Sequence, residues 1–465
     1  MKTQRTALVL FCLLAVLAFA PMVQEHLNWP HVKALAGVQE EAPLPKLELT
    51  TYRNGQFQKN LEKYLQHHYG YRPNNIRLYN QYLWDCYGKT YVKYSIIEGK
   101  EGWLYEPWFV EDYYHGGTFL QQKDSLTLAR QLHREAFRIF QLQNILEQYG
   151  ITLLVCQAPG KDIVYPEFLP DDTAAYRPKE ISAREVYEER FNTLGVNHIN
   201  MEQWFLQMKD TVDFLLFPQK GTHWSNIAAV YAADSIFRYI EDKQGFRMNQ
   251  RVIGRPTIGK FKRPDYDLEE LYNLQRPLKK LPQHYVDVEI RPLPDAVKPK
   301  LITVGDSYFW NISRQIPLDS LFSSWPYLYY NHTVYHDTVR QDINQFDLVN
   351  ELLSADAVML IYSSTSLYEM SNDFCRKALI ALCYDPEELD EIQAEVVETI
   401  KQDPLWLQDI GQRAEQLHLS LDTLVDLEAN YAVHYNIEAF LPAMKDSIPT
   451  KRSTAALQNL RIINE

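Results

Sequence analysis

The tripeptide Gly305-Asp306-Ser307 follows the apolar run Lys300–Val304 and is the most chemically suggestive part of the sequence. A buried strand that ends in a tight turn would place the serine hydroxyl at the carboxyl edge of a sheet, where open α/β sheets bind ligands. Glycine permits the sharp turn, and the serine amide can then act as an oxyanion donor. The tripeptide also occurs in ordinary turns, so a purely structural role is the alternative.

A second motif, Gly221-Thr222-His223-Trp224-Ser225, precedes a predicted helix. A serine hydroxyl is a weak nucleophile at neutral pH, and a neighbouring imidazole is the usual base that activates it. His223 is predicted to lie in a loop before the helix, where Trp224 restricts its ring. The alternative is that it is structural or solvated, like most of the 13 histidines. If the fold brings this histidine to the serine of the first motif, the two form a nucleophile and its base.

The elements that would position these motifs alternate between apolar strands and helices. Helices are predicted over 125–148, 181–194 and 226–242, and strands over 151–156, 196–200, 300–304 and 357–362. This alternation predicts an α/β fold with a mainly parallel sheet and helices on both faces. Outside this pattern, residues 60–84 are helical and aromatic-rich, 94–105 contain two strand-like pieces around a glycine turn, and 245–298 consist of loops and short strands.

The chain of 465 residues is too long for one ordinary core. Residues 24–50 are Pro-rich and predict a linker, 51–384 form the predicted α/β domain, and 385–465 are acidic and predict a helical C-terminal region. The net charge of −13 argues against a nucleic-acid partner. The 31 tyrosines either belong to a Tyr-rich core and surface or form stacking platforms for sugar rings.

Residues 1–23 predict a membrane anchor. Lys2 and Arg5 precede an unbroken apolar run from Ala7 to Ala20, which fits a signal-peptide core or a single span and directs the following chain outward. Pro21 directly follows the small residues at 18 and 20, which disfavours cleavage there. We therefore expect an uncleaved anchor in the inner membrane with the catalytic domain in the periplasm. A cleaved secretory signal is the alternative.

The cysteines outside the apolar run do not define a disulfide pattern. Four thiols allow three pairings, and buried free thiols are an equal alternative; they are Cys86, Cys156, Cys375 and Cys383. No CxxC motif or Cys/His cluster is present. The sequence predicts neither a metal nor a cofactor.

Four segments together resemble the SGNH-hydrolase-like alginate O-acetyltransferases, the AlgJ/AlgX group. Residues 62–72 are similar to the family's N-terminal helix, and Glu98–Tyr105 to its EGKDGWLF stretch. Pro159–Pro166 is similar to its P-x-K…YP loop. The fourth segment is the pair of motifs above, which occur in the family's order. The resemblance spans about residues 60–363 and implies an SGNH-type α/β fold. The C-terminal region lies outside it.

The resemblance implies that Ser307 takes up an acetyl group as a covalent ester and that His223 is its general base. The aspartate that the family carries two positions before the histidine is replaced by Gly221. Asp162 is the candidate acid that could reach His223 instead; a backbone carbonyl partner and a degenerate site are the alternatives. Asp306 is a poor substitute, because neighbouring side chains should point apart.

Lys161 also matches the family pattern. It contacts either an anionic substrate or the site loop, or it is a solvated lysine.

The predicted function is O-acetylation of an exported polysaccharide. The resemblance implies a multi-pass membrane-bound O-acyltransferase as acetyl donor. The alternatives are a non-catalytic polysaccharide-binding or assembly subunit, which Gly221 favours, and a carbohydrate acetylesterase. The sequence does not identify the polysaccharide.

Overall fold

The computed structural model describes residues 2–37, 42–90, 96–115, 125–171, 182–336, 339–384 and 386–435. The α-helices are α1 (Lys2–Leu27), α2 (Leu49–Arg53), α3 (Gln56–His67), α4 (Arg72–Tyr87), α5 (Pro107–His115), α6 (Ser125–Gln148), α7 (Lys161–Val164), α8 (Ala183–Leu194), α9 (Met201–Lys209), α10 (Asn226–Gln244), α11 (Asp267–Leu271), α12 (Phe309–Gln315), α13 (Leu348–Leu353), α14 (Phe374–Cys383), α15 (Pro386–Gln402), α16 (Pro404–Leu417) and α17 (Leu421–Tyr435).

The strands are β1 (Ile97–Glu98), β2 (Leu104–Tyr105), β3 (Thr152–Ala158), β4 (His198–Asn200), β5 (Gln250–Ile253), β6 (Thr257–Ile258), β7 (His284–Tyr285), β8 (Val288–Arg291), β9 (Leu301–Gly305), β10 (Tyr327–Tyr329), β11 (Thr333–His336), β12 (Val339–Asp342) and β13 (Ala357–Ser363). The chain divides into two compact units. The first comprises residues 1–107, 219–222 and 261–281, and the second comprises 108–218, 223–260 and 282–465.

The first unit contains the predicted N-terminal apolar helix. Thr6–Leu27 is long and apolar enough to cross a membrane, and its most apolar window is not buried in the protein. The last turn of α1 is attached to the unit by Gln24, whose side chain accepts a hydrogen bond from the amide of Tyr71 (2.9 Å) and donates one to the carbonyl of Pro30 (3.2 Å). The apolar helix therefore leads directly into packed structure.

Two other segments of the first unit match the predicted element types, whereas α11 lies in a segment predicted to hold only loops and short strands. The aromatic-rich segment forms α3 and α4, which are separated where Tyr71 adopts a left-handed conformation (φ 61°). The strands β1 and β2 form an antiparallel hairpin, as the glycine turn predicts. Residues 91–95, which include the start of that predicted strand pair, lie outside the described residues.

The second unit is built on a seven-stranded sheet, within the described ranges, of order β12-β11-β10-β9-β13-β3-β4. All pairs from β10 to β4 are parallel, which confirms the predicted mainly parallel α/β sheet. The antiparallel strands β11 and β12 were not predicted. They lie at the edge of the sheet, and their mixed polar and aromatic residues lack the apolar run of a central strand.

Helices cover both faces of this sheet. On one face, a large core joins side chains of α6, α8 and α14 to alternate residues of the strands, such as Ile302 and Val304 of β9. On the other face, α10 contacts β3 and α12. Strands β3 and β13 are buried along their whole length, as parallel strands between two helical layers must be.

The predicted helical C-terminal region consists of α15, α16 and α17 in the described part of the chain. These helices share a small core of their own, formed by Ile400, Ile410, Ala414, Leu424, Val425 and Ala429. Residues 385 and 436–465 of the predicted region lie outside the described residues. All five cysteines are free, and Cys156, Cys375 and Cys383 are buried, which agrees with the free-thiol alternative.

Candidate active site

Ser307 lies two residues after the end of β9, at the carboxyl edge of the sheet, as predicted. Gly305, however, is the last residue of the strand and does not need a positive φ. Its lack of a side chain is required for another reason. A Cβ at this position would lie 2.1 Å from the carbonyl oxygen of Ile361 on the neighbouring strand β13. The glycine therefore allows close approach of two strands, and the turn begins after it.

His223 lies in the loop before α10, and several contacts hold this loop. Ser225 caps the helix, since its hydroxyl accepts a hydrogen bond from the amide of Ala228 (3.3 Å). Trp224 is fully buried, and its carbonyl accepts a hydrogen bond from the side chain of Asn311 on α12 (3.0 Å). Because α12 follows Ser307 directly, this bond joins the two predicted motifs.

The structure brings the predicted nucleophile and base together. The Nε2 atom of His223 lies 2.7 Å from Oγ of Ser307, although 84 positions separate them in the sequence. The ring of Tyr308 lies 5.2 Å from that of His223 and 5.2 Å from that of Trp224, so it packs between the serine turn and the histidine loop. Both His223 and Ser307 are partly accessible, which leaves the pair open to a substrate.

The side chain of Asp306 points away from the pair, as expected. Its Oδ2 atom accepts hydrogen bonds from the amide (2.8 Å) and the hydroxyl (2.6 Å) of Ser363, and its Oδ1 atom accepts one from the amide of Tyr308 (3.0 Å). This buried carboxylate thus attaches the turn after β9 to the end of β13. Its role is to hold the backbone that carries Ser307.

The turn leaves the amide of Ser307 available. The amides of Asp306, Phe309 and Trp310 all donate to backbone carbonyls, and that of Tyr308 donates to the carboxylate described above. Within the described part of the chain, the Ser307 amide has no hydrogen-bond acceptor. It is a suitable donor to the oxyanion that forms on an acyl carbonyl when the serine oxygen attacks it.

Asp162, the candidate acid, does not fulfil that role in this structure. It is fully buried on α7, and neither carboxylate oxygen has a hydrogen-bond partner among the described residues, so it does not bond to His223. Burial raises its pKa well above the usual range, and the nearby carboxylates of Asp112 and Glu202 add to this effect, while Arg184 opposes it. A carboxyl group in this environment favours the neutral form.

Lys161 is also fully buried, with no exposed surface. The solvated-lysine alternative is therefore wrong, and a side chain without exposed surface does not contact a polysaccharide in this conformation. Contact with the site loop is the remaining interpretation.

Several residues that position the site were not predicted. Besides Asn311, the side chain of Gln315 on α12 donates to Asn226 at the start of α10 (2.6 Å). No local motif marks these residues, because each bond joins segments far apart in sequence.

Comparison with known proteins identifies a similar family for part of the chain. Residues 96–311, which include both His223 and Ser307, match the family model described as "SGNH hydrolase-like domain, acetyltransferase AlgX". No curated protein is significantly similar to the chain.

Solved structures with partial similarity to the chain were also found. The O-acetyltransferase domain of AlgJ from Pseudomonas putida is 17% identical, with a TM-score of 0.39 over 63% of this chain and 96% of that one. AlgX from Pseudomonas aeruginosa is 14% identical, with a TM-score of 0.34 over 60% of this chain and 57% of that one. PatB1 from Bacillus cereus is 14% identical, with a TM-score of 0.37 over 58% of this chain and 96% of that one. Residues 96–311 are thus similar to the SGNH hydrolase-like acetyltransferase family of AlgX, and the mainly parallel sheet is an SGNH-like α/β fold.

Proposed function

We propose that the chain is an O-acetyltransferase that acetylates hydroxyl groups of an exported polysaccharide through an acetyl-serine intermediate. The observation that supports this proposal is the 2.7 Å separation of Ser307 Oγ and His223 Nε2. At that distance the neutral imidazole can take the hydroxyl proton while the serine oxygen attacks an acetyl carbonyl.

In the first half-reaction, Oγ of Ser307 bonds to the acetyl carbon and its proton moves to His223. The oxyanion accepts a hydrogen bond from the Ser307 amide. The bond between the acetyl carbon and the donor then breaks, and the leaving atom takes the proton from His223. In the second half-reaction a sugar hydroxyl gives its proton to His223 and attacks the acetyl-serine. Ser307 leaves and recovers that proton.

In this proposal, the N-terminal helix determines the cellular compartment in which the site lies. We place α1 in the inner membrane and the SGNH domain in the periplasm. Acetyl-CoA is not available there, so the acetyl donor would be a multi-pass membrane-bound O-acyltransferase. Asp162 and Lys161 have no direct part in the proposed chemistry, because one does not bond to the imidazole and the other is buried.

Two variants test the proposed pair. Ser307→Ala should reduce hydrolysis of p-nitrophenyl acetate to the uncatalysed rate, since the acyl-accepting oxygen is lost. His223→Ala should lower it by about 10²–10⁴-fold, the usual contribution of a general base. Mass spectrometry of the parent protein should detect one acetyl group on Ser307. Addition of an oligosaccharide should then transfer that group to the sugar.

Matched substitutions control for general damage. Ser313→Ala changes a serine on α12, the helix that follows the serine turn, and His336→Ala changes an exposed histidine. Both variants should retain the parent rate. Equal, slow hydrolysis by the parent and all variants would instead support a non-catalytic binding or assembly subunit, which the glycine at position 221 favours. Acetyl-serine turnover to free acetate, without transfer to the sugar, would identify a carbohydrate acetylesterase.

A further inference from the structure

A group of aromatic side chains lies on the sheet beside the serine turn. The ring of Trp310, on α12, contacts those of Tyr327 on β10 and Tyr335 on β11, with centroid distances of 4.8 and 4.7 Å. Tyr329 of β10 lies 6.1 Å from Trp310 and 4.5 Å from Tyr330, the first residue after the strand. These five residues form a continuous aromatic group that extends to the edge of the sheet.

Tyr330 lies at the same edge as the nucleophile. Strand β10 is parallel to β9, with Tyr329 opposite Gly305, and the amide of Tyr330 donates to the Gly305 carbonyl (2.8 Å). Ser307 follows that glycine by two residues. Adjacent strands are separated by about 4.8 Å. The backbone of Tyr330, at the end of β10, therefore lies next to the serine turn at the end of β9.

The conformation of Tyr330 is unfavourable for a bulky residue. Tyr330 and Asn331 both have φ of 49°, in the left-handed region that suits glycine and asparagine. Asn331 is buried and its side chain donates to the Asn372 carbonyl (2.9 Å), so it helps to hold the turn. Tyr330, by contrast, is an exposed residue, with 39% of its surface accessible. Strain at an exposed aromatic beside a nucleophile indicates a functional role for the ring.

We propose that Tyr330, supported by Tyr329 and Trp310, forms the stacking surface for a pyranose ring of the acceptor polysaccharide. This inference rests on the proposed function. A tyrosine ring offers a flat apolar face to the C–H face of a sugar and a hydroxyl at its tip for hydrogen bonding. A sugar stacked there would present a hydroxyl group to the acetyl-serine at the neighbouring strand end.

The test separates the ring from the backbone. Tyr330→Asn removes the ring but suits the left-handed conformation, whereas Tyr330→Phe keeps the ring. Tyr431→Asn, at an exposed tyrosine on α17, is the matched control. We expect Tyr330→Asn to raise the KM for an oligosaccharide acceptor about tenfold, with a smaller change in kcat, and Tyr330→Phe to raise it less than about threefold. Tyr431→Asn should retain the parent KM.

Binding provides a second measurement that does not depend on chemistry. In a Ser307→Ala background, titration calorimetry with an oligomannuronate and a cello-oligosaccharide should give affinities about tenfold weaker after Tyr330→Asn. An unchanged melting temperature would show that the variant is folded. Equal affinity with and without the ring, or no binding of either sugar to the Tyr330-containing protein, would overturn the stacking surface. If binding depends on Tyr330 but the protein with Ser307 intact transfers no acetyl group, the stacking surface is retained and the proposed reaction is rejected.

Discussion

At the residue scale, the two aspartates considered as partners of the candidate site have different environments. Asp306 makes three hydrogen bonds and holds the turn that carries Ser307. Asp162 is buried without a partner for either oxygen among the described residues. Its environment resembles neither that of a catalytic acid bonded to a histidine nor that of a structural ion pair. Keeping a buried carboxyl group protonated at neutral pH costs free energy, so this residue should reduce stability there.

We expect Asp162→Asn to stabilise the fold at pH 7 by roughly 1–3 kcal/mol, because it removes a buried group that must be kept neutral or left charged without a partner. The pKa of Asp162 is raised in the folded state, so its contribution is fully present below its unfolded pKa and is lost as the pH rises toward its folded pKa. The gain in the variant should therefore be small near pH 4 and larger near pH 7.

Urea unfolding of both proteins at the two pH values measures this difference. Asp295→Asn, at an exposed carboxylate, is the control and should change the free energy of unfolding little at either pH. A variant that is less stable than the parent at pH 7 would show that Asp162 has a stabilising partner and contradict this interpretation.

At the scale of elements, the turn that carries Ser307 depends on how closely β9 approaches β13. The two strands are parallel neighbours, with Gly305 opposite Ile361. A Cβ on Gly305 would lie 2.1 Å from the Ile361 carbonyl oxygen and 2.8 Å from its Cγ2 atom, both below normal contact distances. The backbone oxygen cannot move aside without breaking the sheet, so the glycine is a packing requirement of this strand pair.

Gly305→Ala should therefore destabilise the protein by roughly 1–3 kcal/mol, as overpacking in a closed core does. It should also lower esterase activity, because Ser307 lies two residues further on. The matched control is Gly411→Ala in the middle of α16, where a Cβ meets no atom within 4 Å.

The change from glycine to alanine should alter the free energy of unfolding in opposite directions at the two positions. Alanine is the better helix former, so Gly411→Ala should stabilise by about 0.5–1 kcal/mol. Thermal unfolding measures both changes. A Gly305→Ala protein as stable as the parent would mean that β9 and β13 can separate without loss.

At the scale of the whole molecule, the chain joins an apolar helix to a globular body. Thr6–Leu27 has a mean hydropathy of 2.6 in its most apolar window. Pro21 and Gln24, near the end of this helix, contact the residues around Gly70 and Tyr71 in the first unit. These contacts indicate that the end of the helix is part of the first unit.

We expect the parent protein to fractionate with membranes and to keep its N-terminus, as the intact mass would show. Deletion of residues 1–20 should release the protein into the soluble fraction while Pro21 and Gln24 keep their contacts. A mature protein that begins at Pro21 would contradict the anchor and identify a cleaved signal. Release by high salt alone would show that the attachment is electrostatic.

Most elements of the fold could be predicted from local patterns. Helix α6 and the strands β3, β9 and β13 lie within one or two residues of their predicted bounds, because apolar runs and helical periodicity are local properties. The strands β10 to β12 could not be predicted in this way. Their residues are polar and aromatic, and only pairing with β9 makes them strands.

The sequence by itself determined the two residue types proposed to do chemistry, their placement at a strand end and a helix start, and the α/β class. Each of these depends on neighbours within a few positions. The tertiary structure alone decided that Ser307 meets His223, that Asp162 does not, and that an aromatic group lies beside the serine. Those facts depend on contacts between distant segments, through Asn311, Ser363 and the β9–β10 pair, and no local pattern records which segments will meet.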